Sequence, residues 1–179
     1  EALLDNEIRF GFEGVAVSGN TVWLAGQREW QDDPKGMVKL LAYDTEAKTW
    51  GGVHYPLEAP GEGAWMGLSE ITLHGDWAYI VERDNQIGAA AVTKKLYRVK
   101  RTDMTPAELG GALPVVAKEL VRDLMPDLAV LNGYTAEKVE GFAIDAGGTG
   151  WVVTDNDGVS DSSGETLFFS IGEMDASAN

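Results

Sequence analysis

The sequence predicts an all-β fold from its composition, its short strand-like segments and the turn signals between them. Its 179 residues include 22 Gly and six Trp, and long helical patterns are few, which favours strands and turns. Residues 12–17 and 21–25 are rich in β-branched and aromatic residues and flank Ser18-Gly19-Asn20, a hairpin turn signal. Several such segments are apolar on both sides, which is typical of strands covered on both faces.

The predicted strands form three sets along the chain. The first set covers residues 12–17, 21–25, 38–43 and 49–55; the second covers 68–73, 77–81, 95–99 and 119–124; the third covers 139–144, 150–153 and 166–171. Thr105-Pro106-Ala107-Glu108 is a capping-box signature and predicts a short helix. A second helical turn is predicted over 126–131, so that residues 105–131 form a short helical insertion in the second set.

The three sets share one order of features. FEGVAVSGNTVWLAGQRE, LSEITLHGDWAYIVERDN and VEGFAIDAGGTGWVVTDND each contain an acidic residue, a strand, a tight turn, a strand with Trp and a polar end. Four-stranded units repeated with insertions are typical of β-propeller blades. We therefore predict a single propeller-like domain over residues 1–179, with blades at about 10–56, 67–124 and 139–172, the last lacking its outer strand.

The number of blades predicts a larger assembly. Propellers have about 4–8 blades, so three blades do not close a ring. We expect this chain to be the C-terminal part of a six-bladed ring. The missing N-terminal blades of the same protein, or another chain, would then cover its open edges.

Charge and composition exclude several kinds of partner and site. The net charge is −15, from 14 Lys plus Arg against 29 Asp plus Glu, so nucleic acid is not an expected partner. The absence of Cys excludes disulfides and Cys-based zinc sites. No apolar run reaches the ~18–20 residues of a transmembrane segment.

Recurring carboxylates are the candidate functional residues. Glu13, Glu70 and Glu140 begin the innermost strand of each predicted blade, and these strands line the central channel of a propeller. We therefore expect the three glutamates to converge. Carboxylates brought together raise each other's pKa or bind a cation, and hard oxygen ligands suit calcium or magnesium. Each Glu could instead only accept backbone N–H groups in a tight turn.

A second acidic group follows the neighbouring strand. Glu82, Asp84, Asp155 and Asp157 are expected on the same rim, because an antiparallel hairpin places the end of its second strand beside the start of its first. Arg83 could supply the positive charge that a phosphate ester needs. Alternatively, residues 82–84 form an internal ion pair, and residues 155–158 form a turn. Trp30 and Trp65 lie in predicted loops and are candidates for stacking on a ligand.

The chain resembles a known bacterial family. GFEGVAV, LLAYDTE, VERDN followed by KKLYRV, and VEGFAID…GWVVTDND are similar to the family described as esterase-like activity of phytase, over about Phe10 to Gly172. The resemblance implies a propeller-like fold, export to the periplasm or medium, and hydrolysis of phosphomonoesters or phosphodiesters. It assigns this activity to the recurring Glu and Asp residues, and similar propeller phytases hold phosphate through calcium on acidic rims.

Three functional hypotheses follow. In the first, the protein is a metal-dependent phosphoesterase that acts on a small phosphorylated substrate. Its calcium ligands would be Glu13, Glu70, Asp84, Asp155 and Asp157, and its catalytic residues would be Glu82, Arg83 and Glu140, with one of the glutamates as general base. In the second, the propeller is a non-catalytic scaffold or ligand-binding module with structural calcium. The third, an esterase without metal, is disfavoured because the sequence lacks the Gly-x-Ser-x-Gly nucleophile motif.

Overall fold

A computed structural model describes residues 5–7, 9–132, 138–156 and 165–174 of the chain. These residues form an all-β fold with one short α-helix, α1 (Met125–Asn132). The strands are β1 (Phe12–Ser18), β2 (Thr21–Gly26), β3 (Met37–Asp44), β4 (Thr49–Pro56), β5 (Met66–His74), β6 (Trp77–Asp84), β7 (Lys94–Lys100), β8 (Ala107–Glu108), β9 (Lys118–Asp123), β10 (Lys138–Ile144), β11 (Thr149–Asp155) and β12 (Phe168–Glu173). The predicted all-β class is confirmed.

The strands form three antiparallel sheets, named here in chain order. The first sheet has the order β1-β2-β3-β4-β8, the second β5-β6-β7-β9 and the third β10-β11-β12. Strand β1 packs beside β5, and β5 packs beside β10. The first strands of the three sheets are therefore neighbours, although they are far apart in sequence.

The second sheet is covered on both faces. All eight residues of β6 are buried, and they alternate between two cores. Ala78 and Ile80 join the core shared with the first sheet, whereas Tyr79 and Val81 join the core shared with the third sheet. Burial of each large apolar side chain contributes roughly 1.5–3 kcal/mol. The segments that are apolar on both sides thus mark a sheet that lies between two others, as predicted.

One predicted helix is absent, and the other is present. The prediction of a helix at Thr105 is wrong, because Ala107 and Glu108 form β8 and pair with Gly52 and Gly51 at the edge of β4. A Cβ atom at Gly51 would lie 2.8 Å from the Ala107 carbonyl oxygen, so the glycine allows this close pairing. Edge pairing with β4 outweighs the local helix signal. The helical turn predicted over 126–131 is confirmed as α1.

Candidate functional site

The first strand of each sheet contains a β-bulge near its start. The strand register skips Glu13 in β1, Ser69 in β5 and Glu140 in β10, and the skipped residue is the unpaired one in such a bulge. These three residues are therefore structurally equivalent. The alignment made from the sequence placed Glu70 in this set and is wrong by one residue in the second sheet.

Close approach of the strands explains the glycines that follow two of the bulges. A Cβ atom at Gly14 would lie 2.5 Å from the Ile71 nitrogen of β5, and one at Gly141 would lie 2.7 Å from a Val153 methyl carbon. In the second sheet Glu70 occupies the equivalent position, and its Oε1 accepts the backbone N–H of Ile71 at 2.8 Å. Burial raises the pKa of Glu70, although this hydrogen bond lowers it in part.

A cleft of about 410 Å³ opens where the three bulges meet. Its lining combines residues at the bulges with residues at the ends of the second strands: Glu13, Gln27, Arg83, Lys138, Glu140 and Asp155. In the register, Arg83 pairs with Gly67 and Asp155 pairs with Lys138. Arg83 and Asp155 therefore occupy equivalent positions in the second and third sheets. The cleft therefore gathers three carboxylates and two cations from segments that are distant in sequence.

Arg83 connects the second sheet to the third. Its side chain is only 2% exposed. Its Nε donates to Ser69 Oγ at 2.7 Å, its Nη2 to Glu140 Oε1 at 2.6 Å and its Nη1 to the Asp84 carbonyl oxygen at 3.4 Å. A guanidinium has five N–H groups. Three are used by these bonds, and the other two have no hydrogen-bond partner among the described residues.

Glu13 lies at the exposed mouth of the cleft, and its ionisation is disfavoured there. Partial burial of its carboxyl raises the pKa of Glu13, and repulsion from the Glu140 carboxylate adds to the increase. The positive charges of Arg83 and Lys138 oppose this shift. A carboxyl with a raised pKa retains its proton closer to neutral pH and can act as a general acid.

Asp84 lies outside the cleft. Its buried carboxylate accepts hydrogen bonds from Lys94 Nζ at 2.8 Å, Val92 N at 2.7 Å, Thr93 N at 2.8 Å and Gln86 N at 3.1 Å. Burial lowers the pKa of Lys94, and the bond to Asp84 opposes this shift. Asp84 therefore forms an internal ion pair that holds the loop between β6 and β7, but its partner is Lys94 and not a residue of the segment 82–84 as the alternative from the sequence had it.

Glu82 belongs to a separate cluster on the other face of β6. Adjacent residues of a strand point to opposite faces, so Glu82 points away from Arg83. Its Oε2 accepts from Tyr55 Oη at 2.9 Å and from Lys118 Nζ at 2.5 Å, and its Oε1 accepts from Glu58 N at 2.6 Å. Burial and the neighbouring Glu82 carboxylate raise the pKa of Tyr55. The carboxylate of Glu82 therefore links the first and second sheets.

The described carboxylates of the cleft do not by themselves form a group of metal ligands, and calcium stays a prediction. Within residues 5–7, 9–132, 138–156 and 165–174, no group of three or more Asp, Glu, His or Cys side chains could hold a metal. Arg83 and Lys138 lie among these carboxylates and line the same cleft. Asp155 lines the cleft, whereas the predicted ligand Asp157 lies outside the described residues.

Sequence reasoning missed three residues of this site, namely Gln27, Ser69 and Lys138. A common spacing could have identified Gln27 and Ser69. Gln27 follows Glu13 by the same number of residues by which Arg83 follows Ser69. Lys138 had no such signal. Its place in the cleft depends on its pairing with Asp155 across β10 and β11.

Comparison with known proteins identifies the family of this chain. The model of the Phytase-like family, described as esterase-like activity of phytase, matches residues 5–158. No curated protein and no solved structure matches the chain significantly. The family match covers the first two sheets, and in the third it covers the bulge at Glu140 and the end of β11 at Asp155. On this evidence, the chain belongs to the Phytase-like family.

Proposed function

We propose that this protein hydrolyses a phosphate ester in the cleft formed by the three bulges. Membership of the Phytase-like family suggests phosphoesterase-like activity. The observation that carries the proposal is that Arg83 and Lys138 line the same cleft as Glu13, whose pKa is raised. Cations stabilise the charge of a phosphoryl-transfer transition state, and a proton donor assists departure of the ester oxygen.

In this proposal the cations bind the phosphoryl group. The two remaining N–H groups of Arg83, together with the Lys138 ammonium, donate to phosphoryl oxygens and stabilise the charge of the transition state. Glu140 accepts from Arg83 Nη2 at 2.6 Å and orients the guanidinium. Glu140 is thus a positioning residue, which differs from the role of general base considered for it from the sequence.

Glu13 supplies the proton. Water attacks phosphorus, the bond between phosphorus and the ester oxygen breaks, and the protonated Glu13 carboxyl donates its proton to the departing oxygen. The attacking water releases one proton to solvent, and the Glu13 carboxylate takes up one proton from solvent, so the carboxyl is restored for the next cycle. The raised pKa of Glu13 favours its protonated form and so supports this role.

Calcium and export stay predictions. No step above uses a metal ion, because the described residues alone provide no group of three or more ligands for one. We propose a periplasmic or secreted location from the family resemblance. Among the described residues, no helix has the length and apolar character that a membrane crossing requires.

Hydrolysis of 4-nitrophenyl phosphate and of bis(4-nitrophenyl) phosphate tests the proposal. We expect Glu13→Gln to lower kcat about 10²-fold, as loss of a general acid does, and to remove the fall in rate at pH values above the pKa of Glu13. Glu62→Gln is the matched control, since Glu62 is exposed and lies outside the cleft. Equal rates for the two variants would contradict the assigned role.

A non-catalytic scaffold is the second candidate. It is favoured by the full internal engagement of Glu82 and Asp84 and by the role of Arg83 as a link between sheets. If the protein is a scaffold, wild type hydrolyses neither ester, and the only effect of Arg83→Lys is a lower melting temperature.

We propose in addition that the three sheets belong to a larger, six-bladed ring. Val15 and Val17 of β1 are 60% and 65% exposed, and Phe168 of β12 is 68% exposed. Further sheets would bury these side chains, which belong to the first and last strands described. A crystal structure would count the blades, and valines left open to solvent there would contradict this proposal.

A further inference from the structure

A groove of about 600 Å³ opens beside the cleft, between the segment after β2 and the segment before β5. Its floor is mainly apolar and includes Leu57, Pro60, Met66 and the ring of Trp65. Two cations, Arg28 and Lys35, also line it. We refer to it as the Arg28 groove.

The guanidinium of Arg28 is held by aromatic rings and not by acids. Its Cζ atom lies 4.8 Å from the ring centre of Phe10 and 4.6 Å from that of Trp65. Its Nε is buried and has no hydrogen-bond partner, and no hydrogen bond or ion pair joins Arg28 to the described part of the chain. Cation–π contact stabilises the charge of the guanidinium without using its N–H groups as hydrogen-bond donors. These N–H groups can therefore still donate to an anion.

The acidic residues of the groove form no ion pair with its cations. Glu29 Oε1 accepts the backbone N–H of Gly36 at 3.0 Å. Glu58 accepts from Lys95 Nζ at 2.8 Å and also from the Tyr97 hydroxyl. Burial raises the pKa of Glu58, but these bonds outweigh it, so the net shift is downward. Lys35 is exposed and forms no ion pair with any described residue.

We propose that the Arg28 groove binds an organic anion with a flat apolar body, such as an aromatic carboxylate. Arg28 would donate to the anionic group, with Lys35 adding attraction, and Trp65, Pro60 and Met66 would contact the body. Two cations without an ion-pair partner lie beside an apolar floor in this groove, and this combination favours such a molecule over a simple anion or a neutral one.

Adjacent residues of the chain line the cleft and the groove. Gln27 lines the cleft and Arg28 lines the groove, and Arg83 Cζ lies 5.9 Å from the Trp65 ring centre. The organic part of an ester would therefore lie in the groove while its phosphate lies in the cleft. This extension rests on the proposed hydrolysis, whereas the binding of the organic anion does not.

Calorimetric titration with 2-naphthoate, 2-naphthol and inorganic phosphate tests the binding proposal without reference to activity. We expect naphthoate to bind more tightly than either of the others. Arg28→Gln should weaken naphthoate binding at least tenfold, which corresponds to about 1.4 kcal/mol. Lys48→Gln removes one positive charge from the exposed turn between β3 and β4 and should leave naphthoate binding unchanged.

Other outcomes separate this proposal from the proposed hydrolysis. Glu13→Gln should bind naphthoate as wild type does, even if it loses activity. Equal naphthoate affinity in wild type and Arg28→Gln, or equal affinity for naphthoate and naphthol, would overturn the proposal. If Arg28→Gln does not fold, Lys35→Gln carries the test, since a weakening of threefold or more supports the groove and no change overturns it.

Discussion

Arg83 and Glu140 form the ion pair that joins the second sheet to the third, with Nη2 and Oε1 separated by 2.6 Å. Arg83 lies near the end of β6, the second strand of the second sheet. Glu140 lies in the bulge of β10, the first strand of the third sheet. Because Arg83 also donates to Ser69 Oγ at 2.7 Å, its charge lies at the junction of two bulges. The same contact shapes the cleft and stabilises the packing of the sheets.

Glu140→Gln is expected to lower the free energy of unfolding by about 3 kcal/mol, because it leaves the buried Arg83 charge without a counter-ion. Urea unfolding measures the change. Glu13→Gln is the matched control in the same cleft, since Glu13 forms no hydrogen bond with the described part of the chain. A loss of similar size in both variants would contradict a specific role for the Arg83 pair.

The raised pKa of Glu70 leads us to expect that the free energy of unfolding depends on pH. Burial raises the folded-state pKa of Glu70 above the ordinary value of 4.5 for a Glu carboxyl, so its contribution to stability is fully present below pH 4.5. The contribution is lost as pH rises through the folded-state pKa, because the unfolded state ionises more readily. We therefore expect Glu70→Gln to gain stability relative to wild type as pH rises above 4.5.

Urea unfolding of wild type and Glu70→Gln at several pH values from 4 to 7 measures this difference. Glu62→Gln, at an exposed position, should remain parallel to wild type over the same range. A Glu70→Gln curve that is also parallel to wild type would show that burial of this carboxyl has no energetic consequence.

Asp84→Asn is expected to destabilise the protein by about 3–5 kcal/mol, because it leaves the buried Lys94 ammonium without its partner. The loss should be the same with and without calcium, since four internal donors already engage the carboxylate. Thermal and urea unfolding in calcium and in chelator provide the comparison. A loss that appears only in calcium would instead support Asp84 as a metal ligand.

Chelation separates the proposed mechanism from the hypothesis of a metal site. Hydrolysis should persist in EDTA, because Arg83 and Lys138 supply the positive charge in the cleft. Activity that disappears in EDTA and returns with calcium would support a site at Asp155 and Asp157. In that case Asp155→Asn should abolish the recovery, whereas Glu62→Gln should not.

Much of the fold could be predicted because its signals are local. Turn residues such as Gly19 and Gly75, which have positive φ angles of 57° and 55°, mark hairpins directly in the sequence. The helix predicted at Thr105 failed for the opposite reason, since β8 forms only through pairing with Gly51 and Gly52. A local signal of about one helical turn does not outweigh edge pairing with a distant strand.

The candidate site was predicted in part. Glu13, Arg83, Glu140 and Asp155 do line one cleft, because repeated hairpins place equivalent residues on one rim. Glu70 was misaligned, because a bulge displaces the register by one residue without changing the apolar pattern of the strand. Glu82 and Asp84 were placed with Arg83, yet the alternation of strand residues and the loop after β6 direct their carboxylates elsewhere.

The sequence by itself determined the strand class, the three sets and the recurrence of acidic residues, since period, turn chemistry and composition act within a few residues. Only the tertiary structure decided which acids face a cation and which face a cleft. Ion pairs such as Arg83 with Glu140 and Asp84 with Lys94 depend on register and on sheet packing. Those features are set by contacts between distant segments and leave no local trace.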